Sequence, residues 1–143
     1  MFIHTVPERD FTLFYFNKND SYRNILKILE KYLEAGPTRD ELFYFDSDAR
    51  LITPSLTKKL IPIVARSTTL RPPGSRTAVL LGRDSLYGLG RIYKAAENKI
   101  FRRPWVTRLF RDLQGAAQWL NVDEYFIADI VSEYNASRPF VSC

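Results

Sequence analysis

Two acidic residues, Asp46 and Asp48, follow the apolar run Leu42–Phe45. A pair of carboxylates at the end of a strand could act as general acid and base, or bind magnesium through their oxygens. Open α/β sheets place their ligand crevices at this end of the strands. Acidic loop residues also complement the dipoles of neighbouring helices. That structural role is the simpler interpretation of both aspartates.

Nucleophilic and metal chemistry have few residues to draw on. His4 is the only histidine and Cys143, the last residue, is the only cysteine. A Ser-His-Asp or Cys-His arrangement would have to use His4, which lies on a predicted edge strand near the terminus. Structural and catalytic metal sites need several such ligands. The sequence therefore favours a protein that is not an enzyme and that has no metal or cofactor.

The segment GRDSLYGLGR, Gly82–Arg91, combines glycines with basic residues. Its spacing matches neither the phosphate-binding loop of nucleotide hydrolases nor the dinucleotide-binding fingerprint. Ser85 is predicted to begin a helix, and free N–H groups there could bind an anion with help from Arg83 and Arg91. The alternative is plain helix packing.

The segment Lys99–Arg111 alternates arginines with aromatic residues, a combination that binds single-stranded nucleic acid by stacking. Side chains of a strand point to alternate faces, so Trp105 and Leu109 would share one face and Arg108 and Phe110 the other. This favours aromatic residues in the core with arginines around them, and leaves nucleic-acid binding as an alternative.

Charge is distributed unevenly along the chain, whose net charge is +5. Residues 58–111 carry 13 basic and 2 acidic side chains. Such a segment could meet nucleic acid, an acidic protein or a lipid headgroup. The alternative is that the fold pairs these charges with the acidic ends of the chain.

The composition is that of a globular protein, with 143 residues, 45% of them hydrophobic. No apolar run approaches the roughly 18 residues that span a bilayer. The beginning, MFIHTVPERD, is too short and too soon charged for a secretory signal. One cysteine permits no intrachain disulfide. We therefore expect a cytoplasmic protein with no membrane span.

Short apolar strands alternate with amphipathic helices along the chain. FTLFYF does not alternate polar and apolar residues, which predicts a strand buried on both faces. Strands are predicted at residues 2–6, Phe11–Phe16, Leu42–Phe45, Thr77–Gly82 and Trp105–Phe110, and helices after Asp20 or Ser21, Thr53, Ser85, Asp112 and Asp123. This order predicts a single α/β domain with a central, mostly parallel four- or five-stranded sheet flanked by helices.

The last predicted helix, from Asp123 to Tyr134, has an apolar stripe. The stripe either folds back on the sheet of its own chain or pairs with a second copy or another partner. Its residues are Phe126, Ile127, Ile130, Val131 and Tyr134.

Two stretches carry a family resemblance. SLYGLGRIYKAAE (Ser85–Glu97), then a strand, then FRDLQGAAQWLNV (Phe110–Val122), resembles the C-terminal half of bacterial STAS-like, or SpoIIAA-like, domains. The resemblance covers 76–122, and 11–64 by the order of elements. It implies a STAS-like α/β domain over residues 1–122, related in shape to lipid-carrying CRAL-TRIO domains. Residues 123–143 then form a C-terminal helix and tail, part of the same domain or an interaction element.

The resemblance also implies a function: a non-catalytic interaction or regulatory module that binds a protein partner. Asp46 and Thr53 would orient the binding loop, while Arg50 and Arg91 would meet an acidic group, with Ser47 and Ser85 nearby. In the anti-sigma factor antagonists of this family, a serine or threonine at the start of the second main helix is phosphorylated. The matching residues here are Ser47, Thr53 and Ser55.

Two other functions remain open. The likeness to CRAL-TRIO domains and the aromatic strands suggest a small carrier of a lipid or other apolar ligand, which needs an internal cavity of roughly a few hundred cubic ångströms. The basic region 58–111 suggests nucleic-acid binding, whose affinity would fall steeply between about 50 and 200 mM salt.

Overall fold

The structure is a computed structural model that describes residues 1–18, 20–49, 59, 62, 63, 66, 69–82 and 106–137. Five strands form one sheet: β1 (Phe2–Val6), β2 (Phe11–Phe16), β3 (Asp40–Phe45), β4 (Arg76–Leu81) and β5 (Val106–Phe110). Three helices have described bounds: α1 (Tyr22–Ala35), α2 (Leu113–Leu120) and α3 (Glu124–Ser137). The predicted α/β class and the number of strands are confirmed.

The strands lie in the order in which they occur along the chain. β1 runs antiparallel to β2, and β2, β3, β4 and β5 are parallel to one another. The turn between β1 and β2 is one short 3-10 turn, Pro7–Arg9, followed by Asp10 in the left-handed conformation. A mostly parallel sheet in sequence order brings the carboxyl ends of β2, β3, β4 and β5 to one edge.

β2 is buried on both faces, as its unbroken apolar sequence predicts. Leu13 and Tyr15 point to the face covered by α2 and α3. Phe14 and Phe16 point to the opposite face, which α1 covers. On that face the aromatic residues stack across β2 and β3, with Phe14 4.4 Å from Phe43 and Phe16 4.3 Å from Phe45 between ring centroids. Offset aromatic pairs of this kind add to the energy of burial.

α1 begins and ends where its sequence predicts. The Ser21 hydroxyl accepts a hydrogen bond from the Asn24 N–H at 3.3 Å, and Gly36 ends the helix with a φ of 98°. Buried Ile25, Leu29 and Leu33 face the sheet. α1 therefore packs on this face of the sheet, and helical Ile63 packs against the same cluster.

α2 is capped by Asp112, whose carboxylate accepts a hydrogen bond from the Gly115 N–H at 2.7 Å. A Cβ atom at Gly115 would lie 3.1 Å from that carboxylate and 3.3 Å from the Phe110 ring. A larger residue at position 115 would therefore crowd the Asp112 cap and the Phe110 ring, which would both have to shift slightly. Trp119 packs against Phe110, 5.6 Å away between ring centroids.

α3 folds back on the sheet of its own chain. Ile127 and Val131 are buried there, and Ile130 and Tyr134 pack against the same cluster. The predicted stripe is wrong in one residue, since Phe126 is 42% exposed and its ring lies against His4. Among the described helices, none has the length and apolar character needed to cross a membrane.

β3 is longer than predicted because it begins at Asp40 instead of Leu42. Asp40 and Glu41 are charged yet buried, and each is paired with an arginine. The helices predicted after Thr53 and Ser85 lie wholly or mostly outside the described residues. Within the first of these, residues 59, 62 and 63 are helical.

Candidate functional site

The candidate site lies at the carboxyl edge of the sheet, where the 46–49 loop (Asp46–Ala49) follows β3. The Asp46 N–H donates to the Phe16 carbonyl at 2.9 Å, so the ladder between β2 and β3 continues one residue beyond β3. The Ala49 N–H donates to the Asp46 carbonyl at 2.9 Å, which closes the loop as a tight turn. Ala49 is buried against Leu81. Both ends of the loop are therefore anchored to the sheet.

Both oxygens of the Asp46 carboxylate accept hydrogen bonds. The Tyr15 hydroxyl donates to Oδ2. The Ser47 N–H donates to Oδ1 at 2.6 Å, and the Ser47 hydroxyl donates to the same oxygen at 3.2 Å. Hydrogen bonds to an ionised carboxylate are about twice as strong as bonds between neutral groups. Asp46 therefore ties the loop to the buried strand β2.

Tyr15 links this loop to α3. It is 1% exposed, and the Asn135 side-chain amide donates to its hydroxyl at 3.3 Å. Burial first, and then the hydrogen bond to Asp46, raise the pKa of Tyr15 above its usual range. Burial and the charge of Asp46 also raise the pKa of Tyr44, whose ring is 5.3 Å from that of Tyr15. Tyr15 therefore stays protonated as a hydrogen-bond donor to the carboxylate.

The tip of the loop is exposed. Ser47 and Asp48 both face solvent, and the Asp48 carboxylate accepts a hydrogen bond from the Lys18 N–H at 3.3 Å. The neighbouring loop after β2 is held by Asp20, which accepts from the Asn17 N–H at 2.7 Å and contacts the Met1 amine. Two loops at adjacent strand ends therefore form one continuous surface.

The structure brings together two of the residues that the sequence selected, Asp46 and Ser47. The others, Arg50, Thr53, Ser55, Ser85 and Arg91, lie outside the described residues. Sequence reasoning missed Tyr15 and Asn135. A tyrosine inside the buried run FTLFYF is itself a signal, because a buried tyrosine hydroxyl needs a hydrogen-bond partner. Asn135 carries no comparable signal.

A second polar cluster, also missed, lies at the amino edge of the sheet. Arg71 is 3.1 Å from the Glu41 carboxylate, and these two side chains are 2% and 7% exposed. The Tyr32 hydroxyl donates to Glu41 at 2.6 Å, and Arg71 donates to the Thr77 hydroxyl at 2.6 Å. Burial first, and then the charge of Glu41, raise the pKa of Tyr32. This cluster is shielded from solvent.

Beside the buried pair, Arg76 joins the sheet to α2. Its guanidinium donates to both oxygens of Asp40, at 3.2 and 2.8 Å. It also donates to the carbonyls of Trp119 at 2.6 Å and Leu120 at 3.2 Å. A cation at the end of a helix satisfies carbonyls that have no partner within the helix. Hydrogen bonding to Asp40 raises the pKa of Arg76.

A surface groove of about 600 Å³ runs between the β1–β2 turn and the start of α3. Its apolar lining comes from β1, the β1–β2 turn, β2 and the residues on either side of the start of α3, and its charged residues come from the turn and from Asp123. The apolar residues are Val6, Pro7, Phe11, Val122 and Phe126, and the polar ones include His4, Glu8 and Arg9.

Acidic, histidine and cysteine side chains do not gather in threes at metal-binding distances among the described residues. What the carboxyl edge offers instead is an anchored loop with an exposed serine and an exposed aspartate. Comparison with protein-family models, with curated proteins and with solved structures finds no match for this chain.

Proposed function

We propose that this chain is a non-catalytic, STAS-like interaction module that binds a protein partner through the 46–49 loop. One observation carries the proposal: both carboxylate oxygens of Asp46 accept internal hydrogen bonds, while Ser47 and Asp48 stay exposed beside it. A general acid or base must reach the proton that it transfers. A carboxylate that already accepts from Tyr15 and twice from Ser47 serves instead to hold a loop in place.

A pre-ordered loop suits recognition because little conformational entropy is lost when a partner binds it. The turn hydrogen bond, the packing of Ala49 on Leu81 and the bond to Tyr15 order this loop before binding. Ser47 and Asp48 then supply one hydroxyl and one charge to the partner. The family resemblance would add Arg50, Thr53, Ser85 and Arg91, which lie outside the described residues, to this proposed binding surface.

The same geometry supports regulation by phosphorylation of Ser47. Its hydroxyl is exposed and donates to Asp46 at 3.2 Å. A phosphate on Ser47 would add nearly two negative charges, which the carboxylates of Asp46 and Asp48 would repel. It would also remove the hydrogen bond from the Ser47 hydroxyl to Asp46. Phosphorylation would therefore reshape the loop and change partner binding.

Site-specific photocrosslinking in cells of the source organism tests the proposal. A photoreactive residue replaces Ser47 in one variant and Glu34, exposed near the end of α1, in another. We expect a defined protein to be crosslinked from position 47 and not from position 34. Asp48→Arg should abolish this crosslink, whereas the matched change Glu34→Arg should not. Identical products from both positions, or an unaffected crosslink in Asp48→Arg, would contradict the proposal.

The groove of about 600 Å³ supports a second candidate, a carrier of a lipid or other apolar ligand. Its volume falls within the range of small-molecule sites, and five apolar residues line it. Native mass spectrometry of the protein purified from its source should then show an added mass of a few hundred daltons. Phe126→Asp should remove that mass. A bare chain would eliminate the carrier and leave the interaction module standing.

A further inference from the structure

A cationic and aromatic patch lies at the β5 edge of the described sheet, away from the 46–49 loop. We define the β5 patch as Val106, Arg108, Phe110 and Trp119. The guanidinium of Arg108 lies over two rings, 5.6 Å from the centroid of Phe110 and 6.0 Å from that of Trp119. These distances are those of cation–π contacts.

The rings that hold Arg108 are themselves fixed in place. Phe110 and Trp119 are half-buried and contact each other at 5.6 Å. The carbonyl of Trp119 accepts a hydrogen bond from Arg76 at 2.6 Å. Arg108 is exposed, so a guanidinium held beside these fixed rings still presents its planar fork of N–H donors to solvent. Arg108 is thereby pre-organised to bind an anion.

Within the described residues, no ion pair neutralises the charge of Arg108. By contrast, Arg76, on the same face of the sheet, is paired with Asp40 at 2.8 Å. Arg108 is exposed, and Val106, two residues earlier on the same face, is 60% exposed. A guanidinium with no ion-pair partner among the described residues thus lies next to an exposed apolar side chain.

We propose that the β5 patch binds an acidic segment of a partner protein, with a carboxylate on Arg108 and an apolar side chain on Val106. A carboxylate matches the guanidinium fork in shape as well as charge. The excess of basic residues in 58–111 favours such a segment electrostatically. This surface is separate from the 46–49 loop and does not depend on the function proposed for it.

A peptide fits the patch better than a nucleic acid. Single strands bind by stacking bases on free aromatic faces. Here the Trp119 ring already has two guanidinium groups within 6.0 Å, those of Arg76 and Arg108. A second copy of the chain is disfavoured as well, because Arg108 is the central residue of β5. Two β5 edges paired antiparallel about their centres would place like charges opposite each other.

Fluorescence anisotropy with three labelled probes tests this proposal in the full-length protein at low salt. The probes are a twelve-residue peptide of alternating valine and glutamate, the same peptide with lysine in place of glutamate, and oligo-dT. We expect binding of the glutamate peptide alone. Arg108→Ala should weaken it about tenfold or more, as for loss of a hydrogen bond to a charged group.

Two further variants separate geometry from charge. Arg108→Lys keeps the charge without the planar fork, so it should recover only part of the affinity. Arg23→Ala removes an equal charge from the exposed face of α1 and should leave binding unchanged. Equal losses in Arg108→Ala and Arg23→Ala, or tighter binding of oligo-dT than of the glutamate peptide, would overturn the proposal. Circular dichroism on each variant verifies that it is folded.

Discussion

The parallel strands begin at the amino edge of the sheet and end at its carboxyl edge. These two edges use the same kinds of side chain for opposite purposes. At the amino edge, Glu41 and Arg71 are shielded from water and paired with each other. At the carboxyl edge, Asp46 accepts hydrogen bonds from its own surroundings, and Ser47 and Asp48 face solvent. A buried charge without a partner costs several kcal/mol, whereas an exposed one costs almost nothing. The amino edge is therefore committed to stability, and the carboxyl edge is available for recognition.

Disrupting the buried pair of Glu41 and Arg71 should cause the largest loss of stability. Arg71→Met leaves Glu41 buried without its cation, which should lower the free energy of unfolding by about 3–5 kcal/mol. Urea denaturation followed by circular dichroism measures the loss. Adding Glu41→Gln to this variant removes the unpaired buried charge and should restore part of the stability. Arg23→Met, on the exposed face of α1, is the control, and an equal effect there would contradict this account.

Alkaline pH should weaken the amino edge next. The pKa of Tyr32 is raised in the folded protein, so the folded state keeps a proton that the unfolded chain loses. Its contribution is complete below a pH of about 10 and is lost as the pH rises further, by about 1.4 kcal/mol per pH unit. Tyr32→Phe should reduce the steepness of this decline, measured by urea unfolding between pH 8 and 11. Tyr125→Phe, exposed at 73%, should not.

A smaller effect is expected from the link between the carboxyl edge and the core. Tyr15→Phe removes the hydroxyl that donates to Asp46 and accepts from Asn135. The free energy of unfolding should fall by about 1–2 kcal/mol, because Asp46 and Asn135 each lose a hydrogen-bond partner. Thermal or urea unfolding measures it, with Tyr125→Phe as the matched control. A loss as large as that of Arg71→Met would mean that both edges serve stability equally.

The smallest stability effect should come from the exposed tip. Ser47→Arg should change the free energy of unfolding by no more than about 0.5 kcal/mol, as surface substitutions usually do. It should nevertheless weaken binding of the crosslinked partner at least tenfold, because the arginine occupies the loop surface. Calorimetry of the purified pair measures the affinity. Strong destabilisation with intact binding would reverse the roles assigned to the two edges.

Local patterns predicted most of the architecture correctly. Ser21 and Asp112 cap the helices that their positions predict, and the unbroken apolar run Phe11–Phe16 is the strand buried on both faces. Each of these signals involves residues that are close to one another in the sequence. The beginning of β3 was missed because two acidic residues, Asp40 and Glu41, are typical of the polar loop before a strand. Only their pairing with distant arginines makes them part of the strand.

The class of fold, the order of the described strands and helices and the position of the acidic loop after β3 could all be predicted from the sequence. Those features follow from periodicity, capping and turn residues, which are encoded locally. Tertiary structure alone decided that Asp46 would be held by Tyr15, and that Asn135, 120 residues from Tyr15 in the chain, would join them. It also decided that Arg108 would stack on Trp119. Contacts between distant residues depend on how the sheet and helices pack. The sequence around one residue does not indicate which distant residue it will contact.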